Sequence, residues 1–162
     1  MCSLRRATRS QAHTGWTKDI LAREKSADAA LNFPIIADKE RKIVTELGML
    51  DPEEFRDGLP MPARVLVILH GTTVKLSILY PATTGRNFDE VFRVLTSLQL
   101  TAGNGLATPV NWNYGDRCIV TPPVKTEDAQ TKFTGFEIEA LPSEKPYLRS
   151  VDCPEGPGKS GP

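Results

Sequence analysis

The chain has 162 residues, a length that suits one domain able to bury a core of its own. Its 20 Lys and Arg residues balance 20 Asp and Glu residues, so the formal net charge is zero. A zero net charge removes the electrostatic argument for a nucleic-acid or membrane-surface partner. No apolar run approaches the length needed to span a bilayer, and we therefore expect a soluble protein that binds neither nucleic acid nor membrane.

The cysteines and histidines are spread along the chain: Cys2, Cys118, Cys153, His13 and His70. No CxxC pair occurs, and the histidines do not stand at the spacing of zinc ligands. The sequence therefore predicts no metal and no cofactor. An odd number of well-separated cysteines is typical of free thiols in a reducing, intracellular setting, and we expect a cytoplasmic location.

The first residues have a basic bias and no acid, with Arg5, Arg6, Arg9 and Lys18. Such a bias is typical of a mitochondrial presequence, which leaves mitochondria as the alternative location. Gly15 and scattered polar residues interrupt any amphipathic helix, however, so residues 1–15 are predicted to be a divergent basic tail. No apolar core follows the arginines, which argues against a secretory signal.

Two helices are predicted before residue 50. Trp16 and Ile20 lie four residues apart and predict a short helix over residues 11–24, with this face in the core. Asp38 is well placed to cap a second helix, "KERKIVTELG", and Gly48 can supply its left-handed C-cap. The buried stripe of this second helix is predicted to be Ile43, Val44 and Leu47.

Residues 49–63 contain three prolines and are predicted to be a loop. After them, two β-rich runs, Arg64–Leu69 and Val74–Tyr80, flank the turn sequence "HGTT" and predict a β-hairpin. The first run is almost continuously apolar, which is typical of a strand covered on both faces. His70, at the turn, is expected to be solvated rather than a ligand or a base.

A third helix is predicted after the hairpin, because Pro81 ends the second run and Asn87 can cap the segment after it. Gly103 ends this helix. Its core-facing stripe is predicted to be Phe88, Val91, Phe92, Leu95 and Leu98.

Beyond Leu106 the sequence becomes rich in proline and turn residues. It predicts an extended arm rather than a packed domain, with short strands and one helical turn after Thr126. Cys118 alternates with apolar residues there and is expected to be a half-buried structural thiol. The last residues, 151–162, are dense in Gly and Pro and are predicted to be disordered.

The chain also contains a set of characteristic blocks: "FPIIAD", "ELGMLDP", "PARVLVI", "KLSILYPATTGRNFDEVFRVLTSLQLTA", "ATPVNW", "GDRCIV" and "LPSEKPYLR". Together they resemble the one-cysteine peroxiredoxins of the peroxiredoxin 6 type, thiol peroxidases with a thioredoxin-like core. The resemblance runs from about Trp16 to Arg149. The blocks "YPATTGRNFDE" and "ATPVNW" are specific to that subfamily.

The resemblance implies an α/β fold: an incomplete thioredoxin-like sheet with flanking helices, followed by an extended C-terminal arm that embraces a partner subunit. Residues 16–103 would form the partial core and residues 104–150 the arm, between the two tails. In the family, the opening third supplies central strands and the peroxidatic cysteine, in a Pro-x-x-x-Thr-x-x-Cys setting. This chain begins after that region, so we expect a form that is truncated at the N-terminus and lacks this cysteine.

The activity that the resemblance implies is thiol-dependent reduction of hydrogen peroxide and organic hydroperoxides, an antioxidant role in redox homeostasis. The nucleophile of this reaction is a thiolate, which becomes a sulfenic acid that a second thiol reduces. Arg64 and Arg86 correspond to pocket arginines of the family, which can polarise a peroxide but cannot replace the sulfur. We therefore expect activity to be lost or impaired, with peroxide a substrate only if some activity survives. The open alternative for either arginine is an ion pair with Asp89 or Glu90.

The implied partner is a second copy of the chain or an intact one-cysteine peroxiredoxin, because subunits of the family pair through the second strand of the hairpin. The alternation of "VKLSILYP" places Leu76, Ile78 and Tyr80 on one face, and these are the predicted residues of the dimer interface. Two alternatives to an enzyme stay open: a non-catalytic dimer partner, and a product without a role.

Two further motifs near the end of the chain are predicted to be chance matches. "PYLRSVDC" has Pro146, Ser150 and Cys153 at the spacing of the peroxidatic signature, but the "PEGPGKSG" that comes next cannot continue a helix. "GPGKSG" resembles the end of a phosphate-binding loop, yet it lacks the first glycine and the flanking strand and helix.

Overall fold

The computed structural model describes residues 11–25, 30–56 and 58–155. The chain forms two compact units, Met1–Ala63 and Arg64–Pro162. The first unit contains α1 (Gln11–Arg23), α2 (Lys42–Glu46), β1 (Leu50–Arg56) and β2 (Leu59–Pro62). The second contains β3 (Arg64–His70), β4 (Thr73–Tyr80), α3 (Phe88–Thr101), β5 (Leu106–Ala107), β6 (Cys118–Val120), α4 (Thr126–Lys132), β7 (Glu137–Ile138) and β8 (Arg149–Val151).

No described helix is long and apolar enough to cross a membrane. Most of the predicted basic tail and the last seven residues of the predicted disordered tail lie outside the described residues. The prediction of disorder over residues 151–162 is wrong at its start, because Val151 belongs to β8 and is fully buried.

Helix α1 confirms the first predicted helix, but the prediction of its buried face is wrong. Trp16 is 56% exposed, whereas Thr17 is buried. The Thr17 hydroxyl donates a hydrogen bond to the carbonyl of His13, 2.8 Å away, so burying this polar group leaves its donor satisfied. The buried position of α1 is therefore Thr17, one residue after the predicted Trp16.

Helix α2 is shorter than predicted, and its N-cap position is occupied by Arg41 rather than by Asp38, although the Asp38 side chain still binds the first turn. The Asp38 carboxylate accepts hydrogen bonds from the backbone N–H groups of Ile43 and Val44, at 3.2 and 3.0 Å. Gly48 adopts a positive φ of 64°, as a left-handed C-cap requires. The predicted buried stripe is wrong, because α2 has no buried residue and both Ile43 and Leu47 are exposed.

The prediction of a loop over residues 49–63 is wrong as well. Strands β1 and β2 pair antiparallel there, with Leu50 opposite Pro62 and Phe55 opposite Pro60, and the register shifts between these two pairs. Proline removes a ladder donor and is therefore tolerated at sheet edges and bulges. A two-stranded ribbon consists of edges, which explains why prolines did not prevent pairing here.

The predicted hairpin is confirmed as β3 and β4, which pair from Arg64 opposite Tyr80 to His70 opposite Thr73. Gly71, in the turn between them, has a positive φ of 60°. The expectation that β3 is covered on both faces is wrong, because its residues are half-buried or exposed. Within the described ranges β3 pairs with β4 alone.

Helix α3 begins as predicted, because the Asn87 side chain accepts hydrogen bonds from the N–H groups of Asp89 and Glu90, at 3.0 and 3.3 Å. Its predicted core stripe is wrong at the N-terminal end, where Phe88 and Phe92 are exposed. An apolar stripe is buried only where another element covers it. The end of α3 meets that condition, and Leu100 joins the core of the arm.

The arm after α3 has the predicted short strands and helical turn, but the expectation that it is not packed is wrong. Its strands form an antiparallel sheet in the order β5, β6, β8, β7. Helix α4 begins at Thr126. The buried core of the second unit is built mainly by arm residues: Leu100, Leu106, Trp112, Cys118, Val120, Ala129 and Val151.

Candidate functional site

Arg64 and Arg86, the two arginines implied to line a peroxide pocket, are attached to the same end of the β3–β4 hairpin. Arg64 begins β3, opposite Tyr80. A guanidinium nitrogen of Arg86 donates a hydrogen bond to the carbonyl of Val65, 3.2 Å away and next to Arg64 in the chain. Both arginines are exposed, so their charged groups are accessible to a ligand.

The segment between β4 and α3 explains how Arg86 reaches β3. It begins with a tight turn, in which the N–H of Thr84 donates to the carbonyl of Pro81 at 3.0 Å. The Asn87 cap then starts α3, so Arg86 stands between a turn and a fixed helix end. The sequence "ATTGR" therefore serves as a connection that directs one cation back onto the neighbouring strand.

Glu90, one of the two acids considered as a partner for these arginines, is bound elsewhere. Its carboxylate accepts two hydrogen bonds from Arg93, at 2.6 and 2.9 Å, and the hydrogen bonding to Arg93 lowers the pKa of Glu90. Arg93 also donates to the carbonyl of Trp112 at 3.1 Å. The Glu90–Arg93 pair thus connects α3 to the arm. Because Glu90 is bound to Arg93, Arg86 keeps its hydrogen bond to β3.

An exposed guanidinium held by one backbone bond keeps further N–H donors in a planar fork. Such donors can stabilise a thiolate or bind the oxygen atoms of a peroxide. Arginine carries no nucleophile of its own, so any reaction at this place requires a sulfur from another residue.

The alternation predicted for β4 is present. Leu76, Ile78 and Tyr80 are half-buried on one face, whereas the residues between them are exposed: Lys75, Ser77 and Leu79. The half-buried face is shared with Leu66 and Ile68 of β3, which lie opposite Ile78 and Leu76. The role of this face in a dimer stays a prediction.

The described cysteines lie in the arm. Cys118 is fully buried in β6, and its thiol lies 3.9 Å from the carbonyl of Asp116. Burial, together with the neighbouring Cys153, raises the pKa of Cys118 to about 11. Cys118 is thus more deeply buried than predicted, and its thiol stays protonated at neutral pH.

Cys153 is half-buried and packs against the core that contains Cys118. It lies two residues beyond the end of β8, and residues 152–155 are not helical, so Cys153 does not open a helix as the peroxidatic cysteine of the family does. The structure therefore agrees with the interpretation of "PYLRSVDC" as a chance match. His70 is exposed at the end of β3, as expected of a solvated turn residue.

Sequence reasoning missed the proximity of Cys118 to Cys153 and the role of Arg93 between α3 and the arm. Both features join residues that are far apart in the chain. No local spacing signals such contacts, and only the strand order of the arm sheet could have indicated the cysteine pair.

Comparison with known proteins places these features in a family. The profile of the C-terminal domain of 1-Cys peroxiredoxin matches residues 97–135. The chain is 51% identical over 147 residues to peroxiredoxin-6 of Gallus gallus, covering 88% of this chain and 66% of that protein. It is 49% identical over 157 residues to the 1-Cys peroxiredoxin of Onchocerca volvulus, covering 90% and 67%. The chain thus spans about two thirds of the length of the curated relatives it matches.

Solved structures give the same result. The crystal structure of a cysteine-to-serine mutant of peroxiredoxin 6 of Arenicola marina matches with a TM-score of 0.83 at 46% identity, covering 88% of this chain and 66% of that one. A yeast mitochondrial 1-Cys peroxiredoxin matches with a TM-score of 0.71 at 34% identity, covering 86% and 64%. The fold is therefore thioredoxin-like, of the peroxiredoxin class. Within that class, this chain belongs to the one-cysteine peroxiredoxin family.

Proposed function

We propose that this chain is a peroxiredoxin whose thiol-dependent reduction of hydrogen peroxide and organic hydroperoxides is lost or impaired. The contact that carries the proposal is the hydrogen bond from Arg86 to the carbonyl of Val65, which holds an exposed cation beside Arg64. Such a pair of arginines is one half of a peroxide site. The other half is a thiolate.

The described thiols are poorly suited to supply that half. Cys118 is buried in the arm, and with a pKa of about 11 only about one molecule in ten thousand would be a thiolate at pH 7. Cys153 packs against the same core and comes after a strand rather than opening a helix. Catalysis requires an accessible thiolate next to the cations that activate it.

Peroxide consumption by the purified chain, with dithiothreitol as the reductant, tests this proposal. The control is the same chain with Cys2, Cys118 and Cys153 all changed to serine. We expect the unchanged chain to exceed this control only slightly, by the slow oxidation of thiols that no cation activates. A fast multiple-turnover rate that disappears in Cys153→Ser would contradict the proposal and give "PYLRSVDC" a catalytic meaning.

A second candidate function is that of a non-catalytic partner of a second copy or of an intact one-cysteine peroxiredoxin. Strand β4 supports it, because in the described residues β4 pairs with β3 on one side only. A free strand edge can add a strand from another chain, in which main-chain hydrogen bonds provide affinity and side chains fix the register. Leu76, Ile78 and Tyr80 are the side chains in position to fix that register.

Light scattering of the double variant Leu76→Lys, Ile78→Pro tests the second candidate. Lysine removes apolar contact and proline removes one ladder donor, so we expect association to be abolished. Ser77→Lys is the matched control, because it adds the same charge to the exposed face of the same strand. Leu76→Lys alone leaves every backbone donor in place and should weaken association by at least about tenfold. If the double variant and Leu76→Lys alone both associate as well as the unchanged chain, β4 is not the interface.

A further inference from the structure

We propose that Cys118 and Cys153 form a redox pair that hydroperoxides oxidise to an intramolecular disulfide across the arm sheet. The pair is separate from the arginine site and does not depend on catalytic turnover. It would make the packing of the arm sensitive to oxidants.

The sheet register brings the two thiols together. Strands β6 and β8 are antiparallel neighbours, with Cys118 directly opposite Val151. Cys153 lies two residues beyond Val151, so strand alternation returns it to the same face, diagonally across from Cys118. Cys153 packs against the cluster that contains Cys118 and lies close enough to contribute to the raised pKa of the Cys118 thiol.

Little movement is required to join the sulfur atoms. A disulfide requires Cα atoms less than about 7 Å apart, and diagonal neighbours on paired strands lie about 7–8 Å apart, so one of the two residues must move towards the other by about 1 Å. Cys118 is held within β6, whereas Cys153 lies just beyond the end of β8 and is not constrained by the ladder. The approach can therefore come from Cys153.

The two thiols differ in access, which sets the order of events. Cys118 is fully buried, whereas the half-buried Cys153 lines an open cavity of about 340 Å³ with Tyr114, Gly115, Arg117, Asp152 and Glu155. A small hydroperoxide can enter a cavity of this size. It would meet Cys153 first.

Arg117 positions β8 at this cavity. Its guanidinium donates to the Ser150 hydroxyl at 3.2 and 3.0 Å and to the Gly135 carbonyl at 2.6 Å. It also forms ion pairs with Asp152 at 3.0 Å and Glu137 at 3.2 Å. These acceptors occupy the donors of Arg117, so it fixes the segment that leads to Cys153 instead of binding peroxide.

The oxidation has two balanced steps. The Cys153 thiol releases its proton and attacks one oxygen of a hydroperoxide, the O–O bond breaks, and the departing oxygen takes up a proton, which gives a Cys153 sulfenic acid and an alcohol, or water when the oxidant is hydrogen peroxide. The Cys118 sulfur then attacks the Cys153 sulfur as it loses its proton, an S–S bond forms, and the S–O bond breaks to release water. Two thiols lose two electrons, and one peroxide gains them.

Peptide mapping of the full chain with Cys2→Ser tests the pair, since this background removes the third thiol. The reduced protein is treated with about one molar equivalent of hydrogen peroxide, alkylated with N-ethylmaleimide in denaturant, and digested with trypsin. Cleavage after Arg117 and Lys125 releases "CIVTPPVK", and cleavage after Arg149 and Lys159 releases "SVDCPEGPGK". We expect the two peptides to be linked, with a combined mass lower by two hydrogen atoms.

Two variants in the same background make the result decisive. In Cys153→Ser, Cys118 should remain free and alkylated, because no oxidised sulfur lies beside it. In Cys118→Ala, which keeps the core apolar, Cys153 should stop at a sulfenic acid that dimedone traps. Mixing isotopically light and heavy chains distinguishes a link within one chain from a link between two.

The proposal is overturned if Cys153 of the Cys2→Ser chain accumulates as sulfinic acid while Cys118 stays free. It is also overturned if, in an equal mixture, about half of the linked peptides are light–heavy pairs, which is the share that random linkage between chains gives. These outcomes are independent of the proposed loss of peroxidase activity, because the mapping contains no added reductant and the pair can then take up only one equivalent of oxidant.

Discussion

The β3–β4 hairpin and the arm sheet show that extensive strand pairing and burial are separate properties of this chain. The hairpin has strands of seven and eight residues, yet none of their side chains is fully buried. The arm has strands of two or three residues, and Trp112, Cys118, Val120 and Val151 are almost completely buried around them. Since apolar burial provides most of the stabilising free energy, we expect the arm to be the stable part and the hairpin the surface available to partners.

The largest loss of stability is expected when a core side chain of the arm is removed. Trp112 is 1% exposed, and its indole N–H donates to the carbonyl of Asp116 at 2.9 Å. Trp112→Ala should lower the free energy of unfolding by about 3–5 kcal/mol, because it leaves a cavity. Leu69→Ala, at a hairpin position that is 59% exposed, should cost about 0.5 kcal/mol or less. Urea unfolding of both variants checks the pair, and equal losses would refute the distinction.

A second test compares two arginines. Arg149 is buried in the arm, where it donates to the carbonyls of Val124 and Thr121 at 2.7 and 3.0 Å. Arg149→Ala would leave these acceptors without their donors and should cost about 2–3 kcal/mol in urea unfolding. Arg64→Ala removes an exposed arginine at the start of the hairpin and should cost about 0.5 kcal/mol or less. A cost for Arg64 near that of Arg149 would show that the hairpin end is packed in solution.

The features that the sequence could predict in both regions were local. The hairpin is explained by two β-rich runs around Gly71, and the start of α3 by the Asn87 side chain and the N–H groups just beyond it. Burial could not be predicted in the same way. Phe88 and Phe92 have the spacing of a core stripe but are exposed, because spacing describes one helix and burial depends on the elements that lie against it.

The candidate sites show the same limit. The positions of Arg64 and Arg86 were implied by family resemblance, and the structure added the bond from Arg86 to Val65 that holds the second arginine on β3. The contact between Cys118 and Cys153 arises from the pairing of β6 with β8, which no short-range pattern encodes. Because prolines usually indicate loops, the proline-rich sequence predicted neither this sheet nor the β1–β2 ribbon.

A smaller effect is expected where α3 begins. Asn87 accepts hydrogen bonds from two N–H groups that have no partner within the helix. Asn87→Ala should cost about 1 kcal/mol, whereas Asn87→Asp keeps the acceptor and adds a charge favourable to the helix N-terminus, so it should cost little. Helix content by circular dichroism and urea unfolding measure the two variants. If Asn87→Asp is as damaging as Asn87→Ala, the side-chain oxygen does not act as the cap.

The smallest expected effect lies where α3 meets the arm, at the Glu90–Arg93 pair. The hydrogen bond from Arg93, which also binds the carbonyl of Trp112, lowers the pKa of Glu90 below its ordinary value of 4.5. A carboxylate whose pKa is lowered by folding stabilises the folded state above the unfolded pKa, and that stabilisation is lost as the pH falls through the folded pKa. Both side chains are partly exposed, so the contribution is only about 0.3–0.5 kcal/mol. Urea unfolding of Glu90→Gln should therefore show this small loss at pH 7 and a smaller loss at a pH well below 4.5, because protonation of Glu90 removes the charge that Arg93 binds. Glu139→Gln changes an exposed acid in the arm and should show little loss at either pH. A loss in Glu90→Gln that persists undiminished at the lower pH would mean that its cause is packing between α3 and the arm rather than the charge of Glu90.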